Sequence, residues 1–314
     1  MNPAYSVIFF TVASGAGFGL LALLGLVGFA HGPASSFAFG LTVLAGALAL
    51  VTAGLLSSTF HLGHPERAWR ALSQWRSSWL SREGVAALAT YVPALIFAAL
   101  WLGLVPGTGW TGAVGLVLAA MCAAAVACTA MIYASLKTIR QWRHRLTVPV
   151  YLAFALATGA PLLMVIAAAF GRFQPAQAIM ALLAFLTAGG LKFAYWRGID
   201  TELKDLTMAA ATGLASQGGT VRQWETPHTA RNFVMTEMGF AVARRHVLKL
   251  RNLVYAALLS GAAAVILALL LPAAASVFAL VAALGGLAAA FVERWLFFAE
   301  AQHTVTLYYG ANSA

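Results

Sequence analysis

Eight apolar stretches of roughly twenty residues or more follow one another along this 314-residue chain. Basic residues gather in only every second gap between them. A helix crossing a bilayer needs about 20 apolar residues, because the hydrocarbon core is roughly 30 Å thick and each residue rises about 1.5 Å. The stretches fall at about 5–30, 36–60, 84–105, 111–136, 147–170, 174–197, 247–271 and 274–299. They run continuously rather than alternating with period two, which favours helices over the strands of a membrane barrel. Only 9% of the residues are charged and 61% are hydrophobic, against about 25% charged in a soluble domain. Lipid is the solvent this composition requires. The stretches tile the chain and leave no room for a soluble domain. The expected fold is an all-α integral membrane protein of eight transmembrane helices, with residues 1–314 as a single membrane domain. The first stretch has no basic lead and is too long for a cleaved signal segment, so it is expected to stay as a helix.

A net charge of +10 would suit a nucleic-acid partner, but its distribution points to topology instead. Arg67, Arg70, Arg76 and Arg82 lie between the second and third stretches. Lys137, Arg140, Arg143 and Arg145 lie between the fourth and fifth, and nine more fall between Lys192 and Arg251. The alternate gaps hold only Arg172, a tally of 17 against 1. Positive charge marks the cytoplasmic side. Both termini and the three basic gaps are therefore expected in the cytoplasm, and no nucleic-acid binding is implied.

The connections on the other side are short, while the segment at about 198–245 is long and mixed in composition. Trp224, Phe233, Arg244 and Arg245 give it apolar and cationic contact groups, so it reads as a cytoplasmic docking loop. The two cysteines, Cys122 and Cys128, stand six residues apart in one stretch. They point in different directions around a helix, so no metal site is expected and no iron–sulfur cluster can sit in this chain alone. Small residues such as Ser14, Gly15, Gly17 and Gly19, or Gly285 and Gly286, allow close helix packing. Lys192, near a helix end beside Tyr195 and Trp196, is expected to snorkel to the headgroups. Glu293 and Arg294 fall inside the last stretch, where ionisable groups are costly and often functional.

The second stretch ends in Ser58-Thr59-Phe60-His61-Leu62-Gly63-His64-Pro65-Glu66-Arg67, and the next opens near Ser81-Arg82-Glu83-Gly84. An imidazole and a carboxylate thus occupy adjoining helix ends at one depth. Two readings fit. Glu83 at a helix N-terminus and His61 in headgroup water would simply suit the interface. Alternatively, the pair would serve a quinone, whose two-electron chemistry moves two protons and needs an acid or base beside an apolar slot.

The run from Ser58 to Gly63, with Pro65, Arg67-Ala68, Ser81 and Glu83, resembles the membrane-anchor subunits of dimethyl sulfoxide reductase. The opening Asn2-Pro3-Ala4-Tyr5 and the tail from Glu300 through His303 to Gly310 look closest to anchors of cytoplasm-facing sulfite:quinone oxidoreductases. The resemblance implies a division of labour: a molybdopterin catalytic subunit, a ferredoxin-like iron–sulfur subunit, and an anchor that exchanges electrons with quinone, ubiquinone or menaquinone. It places quinone binding at His61 and Glu83; Arg67, and His64, which is not part of the family's pattern, are held more loosely as quinone-binding residues. It assigns this chain no substrate-converting residues, and the family is generally haem-free. Anchors of the dimethyl sulfoxide enzyme have their termini outside, whereas charge here puts them inside. That favours cytoplasmic catalytic partners and sulfite as substrate, in a bacterial inner membrane. An anchor that oxidises quinol for a dimethyl sulfoxide or other oxo-acceptor reductase is the alternative. A small-solute transporter is the rival from another class. It would need polar groups at mid-membrane in several helices, whereas most ionisable groups here gather toward one face.

Overall fold

The computed structural model describes residues 4–59, 64–201, 206–218, 220–225, 230, 232, 242–309 and 311, with only the backbone for 217 and 242–245. Eight of the helices among them are long and apolar enough to cross a membrane. They are α1 (Tyr5–His31), α2 (Phe37–Thr59), α3 (Trp79–Trp101), α4 (Thr111–Ala134), α5 (Thr147–Ala169), α6 (Pro175–Thr201), α7 (Val242–Leu270) and α8 (Ala275–Ala299). The chain is a multi-pass membrane protein. Large exposed side chains such as Val92, Leu95, Leu183, Leu259 and Leu284 cover the outside of the bundle, as a surface in contact with acyl chains requires.

Lipid gives no hydrophobic drive for one helix to bury another, so close backbone contact must hold the bundle. The sequence supplies it on α1, which packs against α2, α4, α5 and α8 and is the most buried span. A Cβ on Gly19 would overlap the Ala155 carbonyl of α5, and one on Gly25 would overlap the Gly115 carbonyl of α4. α3 lies against α4, α6 against α5, and α7 against α6 and α8.

Hydrogen bonds between connections define the two ends of the bundle. At one end Trp101 Nε1 donates to Gly32 O at 3.1 Å, and Arg172 Nη1 donates to Ser35 Oγ at 2.5 Å. At the other, basic end, Trp142 Nε1 donates to Phe297 O at 2.7 Å and Thr304 N to Thr138 O at 3.0 Å. Ser57 Oγ donates to Ser6 O at 3.1 Å, bringing the end of α2 to the start of α1.

Two expectations change. The third helix begins at Trp79, a turn before the apolar stretch starts, and ends at Trp101. The polar residues that hid this start are satisfied within the fold. Arg82 Nε donates to Trp75 O at 3.0 Å and Nη2 to Arg76 O at 2.7 Å, while the Ser81 hydroxyl donates to Ala71 O. Glu83 is therefore inside the helix rather than at its first residue. Lys192 does not snorkel. It is fully buried, with Nζ 2.5 Å from Glu293 Oε1 of α8, because a partner carboxylate within the bundle replaces headgroup water.

Candidate functional site

The link from α2 to α3 folds against the start of α3. Pro65–Leu72 forms a 3-10 turn, favoured by proline at its first position. Gly84 faces this turn; a Cβ there would lie 2.8 Å from Leu72 Cδ2. Between α2, α3 and the turn runs an apolar groove of about 430 Å3, bounded by Thr52, Thr59, Trp69, Leu72, Leu88 and Tyr91. Its polar feature is a hydroxyl pair, Thr52 Oγ1 and Tyr91 OH, 2.7 Å apart. The volume falls within the roughly 300–1,000 Å3 of small-molecule sites, and an apolar lining with few polar groups is their usual chemistry.

Glu83 precedes Gly84 but turns the other way, into the bundle. It is 7% exposed, and its Oε1 accepts a hydrogen bond from Thr129 Oγ1 of α4 at 2.9 Å. Glu83 thus stands between the groove beside its neighbour and the interior behind Thr129.

His61 lies outside the described residues; Thr59, two positions earlier, borders the groove. His64 and Arg67 are exposed. His64 Nδ1 is 3.1 Å from Glu66 Oε1 and Arg67 Nε is 3.7 Å from the same oxygen, a surface cluster that does not line the groove. Trp224 is 86% exposed. Phe233 lies outside the described residues. Arg244 and Arg245 are in the first turn of α7, with their side chains outside the description. Among the described residues no group of three His, Cys, Asp or Glu could hold a metal ion, and Cys122 and Cys128 are free thiols.

The tertiary structure adds residues that sequence reasoning passed over. Thr129 carries no signal as a lone hydroxyl in an apolar helix. The Thr52–Tyr91 pair comes from two helices with no shared motif. Lys192 and Glu293 did leave a trace: they stand nine residues before Thr201 and six before Ala299, opposite charges at comparable depth from the same end. Near that end Arg251 joins Asp200 at 2.6 Å and Glu300 at 3.0 Å, tying α6, α7 and the tail together. Burial pushes the Glu300 carboxyl up from its ordinary range, against the pull of Arg251.

The model of the DMSO reductase anchor subunit (DmsC) family matches residues 1–310. The chain is also 33% identical to a sulfite dehydrogenase subunit of Allochromatium vinosum, over 98% of this chain and 99% of that one. Eight apolar helices and a match spanning nearly every residue place the chain in one family: it belongs to the membrane-anchor subunits of the dimethyl sulfoxide reductase type.

Proposed function

We propose that this chain is the quinone-reactive anchor of a molybdopterin and iron–sulfur oxidoreductase that passes electrons from sulfite to the quinone pool. The observation that carries this reading is the apolar groove between α2 and α3, which is lined by Gly84, the neighbour of Glu83, and by Thr59, two positions before His61. The family match and the sulfite dehydrogenase relative support the complex and its substrate.

The residues present suit a quinone. Trp69, Leu72 and Leu88 give apolar walls for the ring and tail, and the Thr52 and Tyr91 hydroxyls give hydrogen bonds for a ring oxygen. A bound quinone supplies two-electron, two-proton redox chemistry. We assign proton exchange with it to His61, two positions after Thr59 in sequence, and to Glu83, whose carboxyl rests on Thr129 and reaches the groove by a turn of its side chain. Glu83 suits that task because its carboxyl is shielded from bulk water yet keeps one hydrogen-bond partner that can rotate. His64 and Arg67, clustered with Glu66 outside the groove lining, meet headgroups and solvent.

The positive-residue bias supports cytoplasmic termini and a cytoplasmic basic face in a bacterial inner membrane. The segment at about 198–245 then docks the iron–sulfur subunit through Trp224, Phe233, Arg244 and Arg245, with the whole chain as one membrane domain. The test is His61→Ala and Glu83→Gln in the native complex. Each should lower quinone turnover by about 100-fold while the catalytic partner still reduces an artificial acceptor at the normal rate. Normal quinone kinetics in both variants would remove the assignment.

A further inference from the structure

Behind Thr129, α1, α4, α5 and α8 enclose a small slot whose walls are partly polar. Thr11, Ser14, Thr129, Tyr151, Thr158 and Arg294 contribute to its wall. Its volume is about 20 Å3, and one water needs roughly 10–15 Å3. Ser14 and Thr158 donate to carbonyls of their own helices at 2.6 and 2.8 Å, which leaves their lone pairs as acceptors. The Tyr151 hydroxyl and Arg294 Nη1 are buried with no hydrogen-bond partner among the described residues. Arg294 Nη1 does lie 2.8 Å from Glu293 Oε2, but out of line for a hydrogen bond. Buried polar atoms of this kind call for a partner such as ordered water, and the slot has the size and polarity to hold one.

Arg294 continues the polar chain. Its guanidinium sits 3.4 Å from the Tyr151 ring centroid, and its neighbour Glu293 meets Lys192 at 2.5 Å. Two cations share one carboxylate here, an unbalanced charge that is costly inside a membrane. Glu83 does not line the slot, but its carboxyl is bonded to Thr129, which does. Toward the basic face, the Trp196 ring lies 4.8 Å from Lys192 Nζ and 5.2 Å from Arg251 Cζ. Arg251, Asp200 and Glu300 line a pocket of about 340 Å3 with Gln141 and Gln302. The other half of the bundle differs: among the described residues no Asp, Glu, Lys or Arg lies within its helices, and Arg172 sits in the turn after α5.

We propose that Glu83, a water in the Tyr151 slot, and the Arg294–Glu293–Lys192 cluster form a proton route from the quinone groove to the basic face. The proposal rests on the quinone reading above. Only O–H and N–H bonds change along it. Glu83 gives a proton toward the groove by a turn of its side chain and regains one from the slot water through the Thr129 hydroxyl, which lines the slot. That water is replenished through Glu293, the neighbour of the slot-lining Arg294. Glu293 exchanges a proton with Lys192, and Lys192, buried outside the pocket lining, reaches water at the Asp200–Glu300 pocket by a turn of its side chain past Trp196. Arg294 stays charged and orients the water. For protons leaving the groove each step reverses.

The test uses the native complex and a short-tail ubiquinone, comparing Glu83→Gln, Tyr151→Phe and Glu293→Gln. Tyr151→Phe removes a hydroxyl that has no protein partner among the described residues, so the fold and melting temperature should hold. It is expected to lower kcat with quinone by at least about tenfold, leave KM unchanged, and raise the solvent isotope effect. In the resting complex, the infrared carboxyl band lost in Glu83→Gln should shift in Tyr151→Phe and in Glu293→Gln. If Glu83→Gln slows quinone turnover while Tyr151→Phe leaves kcat, isotope effect and that band at wild-type values, the route is wrong and the quinone site stands. If Glu83→Gln leaves quinone turnover normal while His61→Ala slows it, the route is wrong; if both leave it normal, the quinone reading falls and the route with it.

Discussion

Lys192 Nζ and Glu293 Oε1 lie 2.5 Å apart, joining α6 to α8 within the membrane-spanning part of the bundle. Both side chains are fully buried, and aromatic rings surround the pair: Lys192 Nζ is 4.1 Å from the Tyr195 centroid. An isolated charge in such a place is costly, while a matched pair offsets much of that cost. The contact therefore fixes how α6 and α8 sit against each other.

Removing Glu293 alone should be worse than removing both Lys192 and Glu293, because it strands two cations rather than one. Lys192→Met alone leaves Glu293 with Arg294, whereas Glu293→Leu alone leaves two cations unpaired. The second variant should lose about 3–5 kcal/mol of stability, and the double variant considerably less. Thermal unfolding of the detergent-solubilised complex, followed by size-exclusion chromatography, measures the difference. Equal losses in the single Glu293 variant and the double variant would show that the pair is not coupled.

The groove can be narrowed at Gly84, whose missing Cβ faces Leu72. Gly84→Ala needs only a shift of the Leu72 side-chain tip. Gly84→Leu places a branched group into the groove and should raise KM for a short-tail quinone by about tenfold or more. Activity with an artificial acceptor should not change. Steady-state kinetics of the two variants side by side checks this; identical KM values would move the quinone away from the groove.

Trp224 exposes 86% of its surface, as a contact residue awaiting a partner would. A photo-crosslinking amino acid at position 224 should capture the iron–sulfur subunit in native membranes. Capture by the catalytic subunit alone, or reaction only with lipid, would contradict docking by this segment.

His303 gives a pH-dependent element outside the spans. Partial burial lowers its pKa from the ordinary 6.5, and Val305 N–H donates to its Nδ1 at 3.0 Å. The neutral ring is thus the one the fold favours. Because the unfolded chain takes up the proton more readily, this contribution is complete above about pH 6.5 and is lost as pH falls below it toward the lower folded value. The protection factor of the Val305 amide should drop between about pH 7.5 and about pH 5.5, measured by hydrogen exchange. His303→Gln should flatten that dependence.

How much of this was legible beforehand differs by level. Apolar length alone determined the eight helices, since a bilayer accepts only segments that satisfy their own backbone. Most helix starts fall at the apolar edges, and two run ahead of them. α7 takes in a basic first turn from Val242, and α3 begins at Trp79. In α3 the early start follows because Arg82 and Ser81 find carbonyl partners in the preceding turn, which no local pattern displays. The family was legible in the run from Ser58 to Glu83, because its polar residues stand out against an apolar background. What only the tertiary structure decided is where those side chains point. Glu83 turns toward Thr129, 46 positions away in sequence, and Lys192 reaches Glu293, 101 positions away. In lipid a helix carries no amphipathic stripe that tells inside from outside. The facing of each side chain is set by close contacts such as Gly19 on Ala155, and those exist only once the helices have met.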